Sequence, residues 1–193
     1  MQLTAVTTIA RLPGFTLIEL MIALAIFALL IMLAGPMYGQ FMANHQIRNA
    51  SESMLNGVQQ AQAAAVRDNA LTRLIVDPTT GSGGWKVLQT IDGAEQATPV
   101  QIYTVSDGAP LATIAPVPPG ATQITFDGFG RIVPNVNVNA GATLTCIKVT
   151  HPVSGSRPLN VAISNTGTGI GTKLCDPAVA STESQACPAG CGS

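Results

Sequence analysis

The stretch Gly14-Phe15-Thr16-Leu17-Ile18-Glu19-Leu20 decides the fold, because it opens an apolar run that continues to about Met42. Residues 20–33 are wholly apolar, and Glu19 is the only side chain in residues 12–47 that is charged when histidine is neutral. Residues 15–37 exceed the roughly 20 residues that a helix needs to span a bilayer. The run therefore predicts a membrane-spanning helix with one carboxylate at its edge.

Two ordinary kinds of membrane segment compete with a special role for Glu19. A secretory signal peptide has a shorter apolar region followed by a cleavage site between small residues, and no persuasive site of that kind follows this run. An ordinary single-span anchor fits the length and makes the carboxylate a marker of the headgroup boundary. Because an acidic side chain in a span is costly and is by default a functional group, Glu19 favours a role beyond anchoring.

Gly14 and the residues after it resemble the prepilin peptidase motif of type IV pilins and type II secretion pseudopilins. The resemblance implies that residues 1–14 are a leader, cut after Gly14 on the cytoplasmic side, and that the new N-terminal residue Phe15 is methylated. It also implies that Glu19 pairs with the α-amino group of a neighbouring Phe15 during assembly. The leader departs from the family pattern in having Arg11 as its only basic side chain and Pro13 just before the cut.

Gly35 and Pro36 fall where such subunits have a weakened helix. Proline removes a backbone hydrogen bond and clashes with the preceding turn, so we expect a kink or break there. Gly35-x-x-x-Gly39 also matches a helix-packing pattern, which ranks lower because it contains the proline. Charge does not set the orientation, since Arg11 precedes the span and Arg48 follows it.

A second helical pattern follows the apolar run. Apolar side chains recur at steps of three or four residues, which marks one face of a helix; they are Ile47, Ala50, Met54, Val58, Ala61 and Ala65. We assign residues 15–42 to a transmembrane or filament-core helix. Residues 43–70 are assigned to an amphipathic helix that packs its apolar face on a globular head.

Beyond residue 70 the pattern changes to short runs with β propensity between turn residues. Residues 71–175 are predicted to form the head, with strands at 73–76, 85–89, 100–105, 123–126, 131–133, 144–149 and 159–164 and breaks at 78–84, 116–120 and 127–130. Residues 165–193 show no strong period and predict a loop-like segment, ending in a disulfide-held tail over 176–193. The expected fold class is α+β, with a long N-terminal helix packed on an antiparallel β-sheet head, and the resemblance implies that this is the pilin fold.

The four cysteines are Cys146, Cys175, Cys187 and Cys191, all in the last quarter of the chain. An even number of cysteines beyond a membrane segment favours disulfides in an oxidising compartment. A zinc site is the alternative, but two of the cysteines are isolated in sequence and the histidines have no ligand spacing. Of the three connectivities, we expect Cys146 with Cys175 and Cys187 with Cys191.

The stretch from Ile124 to Arg131 resembles the GspH/FimT pseudopilin family, in which a Phe-x-x-x-Gly-Arg turn joins two strands of the head. Phe126, Gly130 and Arg131 occupy the motif positions. The physical interpretation is a hairpin in which the glycine supplies a positive φ.

DNA-binding members of that family carry a later Gly-Arg-x-Arg turn, and here that position reads Gly167-Thr168-Gly169-Ile170. The missing arginines would supply the fixed charge and planar fork that bind phosphate. Nine basic and ten acidic residues give a net charge of -1, so no bulk attraction for a polyanion exists. DNA binding through the scattered Lys148, Arg157 and Lys173 is therefore a disfavoured alternative.

The favoured function is a minor pilin or pseudopilin that primes or caps a type IV pilus or a type II secretion pseudopilus. Its implied partners are other pilins or pseudopilins, the prepilin peptidase and methyltransferase, the inner-membrane assembly platform and the lipid bilayer. It would be a single-pass inner-membrane protein with a periplasmic head before it enters the filament. We expect no cofactor, metal or catalytic residue, because neither a nucleophile motif nor a phosphate-binding loop is present. A DNA-binding minor pilin for natural transformation and a membrane-anchored enzyme are the alternatives.

Overall fold

The structure is a computed structural model that describes residues 14–81, 83–135, 141–166 and 169–192. The side chains of residues 33–36, 165, 166, 169 and 170 lie outside this description, as does the predicted leader except for Gly14. The described chain has the predicted α+β class, with a long helix followed by antiparallel strands. It divides into two compact units, residues 1–38 and 39–193, which we describe separately.

Helix α1 runs from Leu17 to Asp68, and both of its ends are capped. Thr16 is the N-cap: its hydroxyl oxygen accepts the Glu19 N–H at 3.3 Å, and its carbonyl accepts the Leu20 N–H at 3.2 Å. At the other end Asn69 adopts a φ of 46°. The Ala70 N–H then donates to the Ala65 carbonyl at 3.1 Å, a bond typical of a left-handed helix cap.

The first unit contains the apolar part of α1. Among the described residues, no single helix is long and apolar enough to cross a membrane. The two parts of α1 on either side of residues 33–36, Leu17–Met32 and Met37–Asp68, meet these requirements together, by length and composition only. Residues 33–36 lie outside the part of the helix whose packing is described, so helix weakening at Gly35 and Pro36 stays a prediction.

The second unit buries the predicted face of α1. All six predicted residues have no exposed surface, and Ala43 extends the face by one turn towards the N-terminus. Ser51 is also fully buried, and its hydroxyl donates to the Ile47 carbonyl at 2.8 Å, so it brings no unpaired polar group into the core. The amphipathic interpretation of this segment is therefore confirmed.

Two antiparallel sheets pack on α1, where the sequence predicts one sheet. The strands, in chain order, are β1 Leu71–Asp77, β2 Gly84–Ile91, β3 Ala94–Glu95, β4 Gln101–Thr104, β5 Thr113–Val117, β6 Gln123–Phe126, β7 Ile132–Val133, β8 Cys146–Thr150, β9 Leu159–Thr166 and β10 Gly169–Cys175. The first sheet has the order β3-β2-β1-β6-β7, with β4 also paired to β2, and the second has the order β10-β9-β8-β5. One core contains the helix face together with side chains of both sheets, among them Leu74, Phe126, Ile147 and Val161.

Each of the predicted strands overlaps an observed one, but β5 is not among the predicted strands, and its last two residues fall in the predicted break at 116–120. Proline cannot donate a ladder hydrogen bond and is tolerated only at the edge of a sheet. β5 is such an edge strand, since it pairs with β8 alone and places Pro116 opposite Ile147. The proline therefore marks a sheet edge and not a loop.

The prediction that residues 165–193 are loop-like is wrong for its first part. β10 pairs with β9 over seven residues, from Gly169 opposite Thr166 to Cys175 opposite Asn160. The strand is rich in glycine and lacks the alternation of apolar and polar residues that predicts a half-buried strand. The backbone hydrogen bonds to β9 hold the strand in place, although its side chains show no strand pattern.

The expected disulfide pairing is also wrong. Cys146 lies on β8 and Cys175 on β10, and β9 separates these two strands. Strands two places apart are about 9.6 Å apart, whereas disulfide-bonded Cα atoms are at most about 6.8 Å apart. The observed disulfides join Cys146 to Cys191, with Cα atoms 5.5 Å apart, and Cys175 to Cys187, with Cα atoms 4.9 Å apart.

Gly57 is a position of close approach between α1 and the first sheet. A Cβ atom at this position would lie 2.7 Å from Cδ2 of Trp85, so the glycine allows the indole ring to lie against the helix. The indole N–H donates to Ser53 Oγ at 3.1 Å, which fixes the orientation of the ring.

Gly57→Ala should lower the free energy of unfolding of the head by about 1–2 kcal/mol. Alanine normally stabilises a helix by up to about 1 kcal/mol over glycine, but the clash with a rigid ring costs about 1–3 kcal/mol. Urea unfolding followed by the fluorescence of Trp85, the only tryptophan, measures this change. Gly39→Ala is the control, because its Cβ has no neighbour within 4 Å and should not destabilise the head. Equal effects at the two glycines would contradict the packing argument.

The disulfide connectivity predicts one linked species after digestion of the denatured, unreduced protein with trypsin and a glutamate-specific protease. Cleavage after Lys148, Lys173 and Glu183 puts Cys146 and Cys175 on separate peptides and leaves Cys187 with Cys191 on a third. Mass spectrometry should find all three peptides joined, with fragmentation placing Cys146 on Cys191. A two-peptide species accompanied by a separate C-terminal peptide would restore the pairing expected from sequence.

Candidate functional site

The candidate functional site is the apolar first part of α1, which shows its side chains to the outside all round. Phe15 is 86% exposed, and even in mid-run Phe27 is 61% exposed. The other exposed large apolar side chains of this surface are Leu17, Ile18, Leu20, Met21, Ile22, Leu24, Ile26, Leu29, Leu30, Ile31, Met32, Met37, Tyr38, Phe41 and Met42. A helix that is apolar all round is stable only where lipid or other protein covers it. This surface, formed by the described side chains of residues 15–32 and 37–42, is called the apolar surface below.

Glu19 lies in the first turn of α1, three residues after the N-cap Thr16. A Thr-x-x-Glu sequence of this kind is a capping box, and a carboxylate in the first turn also interacts favourably with the helix dipole. Of the two hydrogen bonds of a capping box, those described include the one from the Glu19 N–H to the Thr16 hydroxyl oxygen and none to the Glu19 carboxylate. The sequence interpretation missed this helix start. The signal was present in the spacing of Thr16 and Glu19.

Gly14 and Phe15 precede the helix and are both exposed. No described atom lies within 4 Å of the position that a Cβ on Gly14 would occupy. The fold of the chain therefore gives no packing reason for a glycine at this position.

The Phe-x-x-x-Gly-Arg stretch forms the predicted hairpin. Phe126 and Ile132 are opposite each other in β6 and β7, and Gly130 has a φ of 74°. The Asp127 carboxylate accepts the backbone N–H groups of Arg131 at 2.8 Å and Phe129 at 3.0 Å. These backbone bonds and the Arg131 guanidinium hold the pKa of the Asp127 carboxyl below its usual value.

The hairpin also packs on α1 through Gly130. Gln62 Nε2 donates to the Gly130 carbonyl at 3.1 Å, and a Cβ on Gly130 would lie 2.9 Å from Val66 Cγ2. The family motif therefore locks a turn onto the end of the helix. Gly130 supplies both the positive φ and the close approach.

Of the three basic residues considered for DNA binding, Lys173 is engaged within the protein, and so is the arginine of the hairpin, Arg131. The Arg131 guanidinium forms an ion pair with Asp127 at 2.8 Å, and Lys173 Nζ donates to the Ala186 carbonyl at 3.0 Å. Of the turn Gly167-Thr168-Gly169-Ile170, residues 167 and 168 lie outside the described residues. The described part of the chain thus gives DNA binding no specific support.

Comparisons with known proteins find matches for both the N-terminal motif and the head. Residues 13–35 match the prokaryotic N-terminal methylation motif, and residues 50–167 match the model of type II transport protein GspH. No curated protein matches the sequence. The type IV minor pilin FimU of Pseudomonas aeruginosa is similar in two crystal forms. One has a TM-score of 0.49 at 18% identity, covering 69% of this chain and 92% of that chain; the other has a TM-score of 0.44 at 19% identity, covering 65% and 91%.

The GspH match extends from the buried half of α1 to the end of β9, which is more than half of the 193 residues. It includes the Phe126 hairpin, and the methylation match covers Gly14, Phe15 and Glu19. The chain is therefore a member of the GspH family of type II transport proteins, with the N-terminal methylation motif of pilins and pseudopilins.

Proposed function

We propose that this chain is a minor pilin or pseudopilin that primes or caps the assembly of a type IV pilus or a type II secretion pseudopilus. The family is structural and not enzymatic. The observation that carries the proposal is the apolar surface with a single carboxylate at its start. In the proposal this surface lies first in the inner membrane, with the head in the periplasm, and later in the core of the filament.

Lipid and neighbouring helices can each cover the apolar surface and exclude water from it. Covering each large apolar side chain is worth about 1.5–3 kcal/mol relative to water. Lipid tails are as apolar as leucine, so transfer from bilayer to filament gains little from this effect. A polar group within the run is therefore needed to select one arrangement of subunits over another.

Glu19 is the polar group available for that selection. A carboxylate left unpaired in a low-dielectric filament core would cost several kcal/mol or take up a proton. The α-amino group of Phe15 on a neighbouring subunit is its proposed partner. That amine exists only after cleavage of the Gly14–Phe15 bond, so processing by the peptidase creates the group with which Glu19 pairs. Only one axial stagger brings the two together, which makes the pair a device for register more than for stability.

The described structure is compatible with this dual use of Glu19. The capping role requires a hydrogen-bonding side chain three residues after Thr16, whereas pairing with an ammonium group requires a negative charge. These two requirements separate on substitution with glutamine, which keeps the first property and removes the second.

We predict cleavage between Gly14 and Phe15, with an N-methylated Phe15 as the first residue of the mature chain. Intact-mass measurement and N-terminal sequencing of the membrane-extracted protein test this directly. A mature chain that begins beyond residue 42 would show that the apolar run is removed and would overturn the pilin proposal.

Gly14→Val should block processing, because a branched side chain crowds the scissile bond in the peptidase. Gly14→Ala is the matched variant and should be processed to a greater extent. Neither substitution has an internal clash, since no described atom is near this Cβ, so a defect reports on the peptidase and not on folding. Equal processing of wild type, alanine and valine variants would contradict recognition of a small residue.

Glu19→Gln should insert, be cleaved and fold its head like wild type, but its recovery with partner pilins should fall at least about tenfold. The reason is that glutamine retains the capping box and loses a charge pair, and about 1.4 kcal/mol already corresponds to tenfold. Membrane level, N-terminal processing and co-purification are measured in one strain.

Glu52→Gln is the control for loss of a glutamate from α1. Glu52 pairs with Arg48 at 2.8 Å on an exposed surface, where such a pair contributes only about 0.3–0.5 kcal/mol. The Glu52→Gln variant should assemble normally. If Glu19→Gln assembles as well as Glu52→Gln while Glu19→Ala fails, then Glu19 acts through its cap alone and the register proposal is wrong.

A further inference from the structure

Two loops of the head attach to α1 next to the end of the apolar surface. The loop between β8 and β9, residues 151–158, is held by two side chains of the helix. Gln40 Nε2 donates to the Ser154 carbonyl at 3.3 Å, and the Arg157 N–H donates to Asn44 Oδ1 at 2.8 Å. Gln40 and Asn44 are four residues apart, so they present one ridge of the helix to this loop.

The second loop, residues 108–112, lies between β4 and β5. Its Leu111 N–H donates to Gln46 Oε1 at 3.2 Å. Gln46 lies about 200° around the helix from Asn44, at about 100° per residue, so the two loops hold α1 from opposite sides. The loops 108–112 and 151–158 are together called the head base below.

In the membrane-spanning state of the proposed function, the head base falls at the depth of the lipid headgroups. The hydrocarbon core takes about 20 residues of helix, which end near Gln40 when they are counted from Leu20. Asn44 and Gln46 follow after about 6 and 9 Å of helix, and the headgroup layer on each side of a bilayer is about 5–8 Å thick. The side chains that hold the two loops therefore lie in this layer or at its outer edge.

Arg157 is the arginine of the head base. It is exposed and, among the described residues, it forms no ion pair, whereas the four other described arginines each pair with an acidic side chain. On the nearby part of α1, Arg48 and Glu52 neutralise each other at 2.8 Å. A guanidinium group in this position matches the phosphate of a lipid headgroup, which it can bind through two parallel hydrogen bonds.

The other loop of the head base presents an apolar side chain. Leu111 is 52% exposed, although its backbone is bound to the helix. Asp107, just before this loop, is exposed and negatively charged, so electrostatics do not draw this side of the head towards an anionic lipid. An exposed leucine at this depth instead gains from entering the boundary between headgroups and acyl chains. The head base thus offers a charge on one side of α1 and an apolar group on the other.

We propose that the head base is a lipid-binding surface, on which Arg157 binds the phosphate of an anionic phospholipid and Leu111 enters the boundary between headgroups and acyl chains. The proposal rests on the membrane-spanning state of the proposed function. Contacts on opposite sides of α1 hold the head against the bilayer and limit its tilting. Both contacts are lost when the subunit leaves the bilayer, so they favour the membrane until neighbouring subunits replace them.

The test uses the full chain in phosphatidylcholine vesicles with and without phosphatidylglycerol. Flotation and resistance to alkaline extraction first establish that the chain is inserted. Hydrogen exchange measured by mass spectrometry then reports on residues 151–158, where the Ser156 N–H donates to the Val153 carbonyl and the Arg157 N–H to Asn44. Exchange of this loop should be about fivefold slower with phosphatidylglycerol, the factor expected for one basic residue near an anionic membrane surface. The difference should disappear in about 1 M salt, where the screening length falls to about 3 Å.

Three variants separate the two contacts. Arg157→Gln should remove the effect of phosphatidylglycerol and leave exchange in phosphatidylcholine unchanged. Arg67→Gln is the matched control, because it makes the same change about 35 Å of helix beyond Asn44 and should keep the effect. Leu111→Ser should speed exchange of residues 108–112 several-fold in both lipids and at both salt concentrations, since an apolar contact does not depend on charge. Circular dichroism establishes that each variant folds.

Equal exchange of residues 151–158 in both lipids, with the chain inserted, would overturn the lipid-binding surface and leave the proposed function intact. A phosphatidylglycerol effect that persists in Arg157→Gln, or unchanged exchange of residues 108–112 in Leu111→Ser, would also contradict it. If exchange is insensitive to lipid while Arg157→Gln lowers co-purification with partner pilins, the arginine binds a carboxylate of another subunit and the proposal is wrong. A chain that is not retained by the vesicles would contradict the membrane step of the proposed function and this inference with it.

Discussion

The head depends on the contact between one narrow face of α1 and two sheets. The face is built largely from small side chains, such as Ala50, Ala61 and Ala65, all without exposed surface. Alanine has the highest helix propensity and loses no side-chain entropy on burial, so the same residues form the helix and let other elements approach it. The bulk of the core then comes from the sheets, through residues such as Phe126 and Trp85. At Gly57 the helix has no side chain, and the indole ring of Trp85 fills the space that a side chain would occupy.

The elements that could be predicted from sequence are those whose order is expressed in side-chain periodicity. The buried face of α1 and the strands with apolar alternation are examples. β10 is ordered by its backbone ladder and β5 contains a proline, so neither shows the usual pattern. β3 is different, because the sequence contains a turn signal that predicts it. Asp92 and Gly93 both have positive φ in a two-residue turn that pairs Ile91 with Ala94, and Asp-Gly is a strong hairpin sequence.

The cysteines show where sequence reasoning reaches a physical limit. Loop-closure entropy favours pairing of cysteines that are near in sequence, and the expected bond between Cys187 and Cys191 agrees with that preference. Strand order overrides this preference, since β9 lies between Cys146 and Cys175 and forces each to pair with the tail. Only the tertiary fold contains that information. The same applies to any partner of Glu19 on another subunit, which a single chain does not contain.

The distribution of charge explains why the proposed assembly role falls on Glu19. The chain has few charges, and four of its arginines form ion pairs with an acidic side chain of the same chain, namely Arg48, Arg67, Arg73 and Arg131. With a net charge of -1, the protein produces little long-range field to attract or orient a partner. Recognition in such a chain must come from contacts at short range. Apolar contact along α1 is strong but tolerates sliding, because every turn of the helix offers a similar surface. In the proposed filament, a single carboxylate at a fixed position would break that equivalence where the dielectric constant is lowest and a mismatch costs most. Under this proposal, a charge-poor chain accepts many arrangements in the membrane and selects one in the filament.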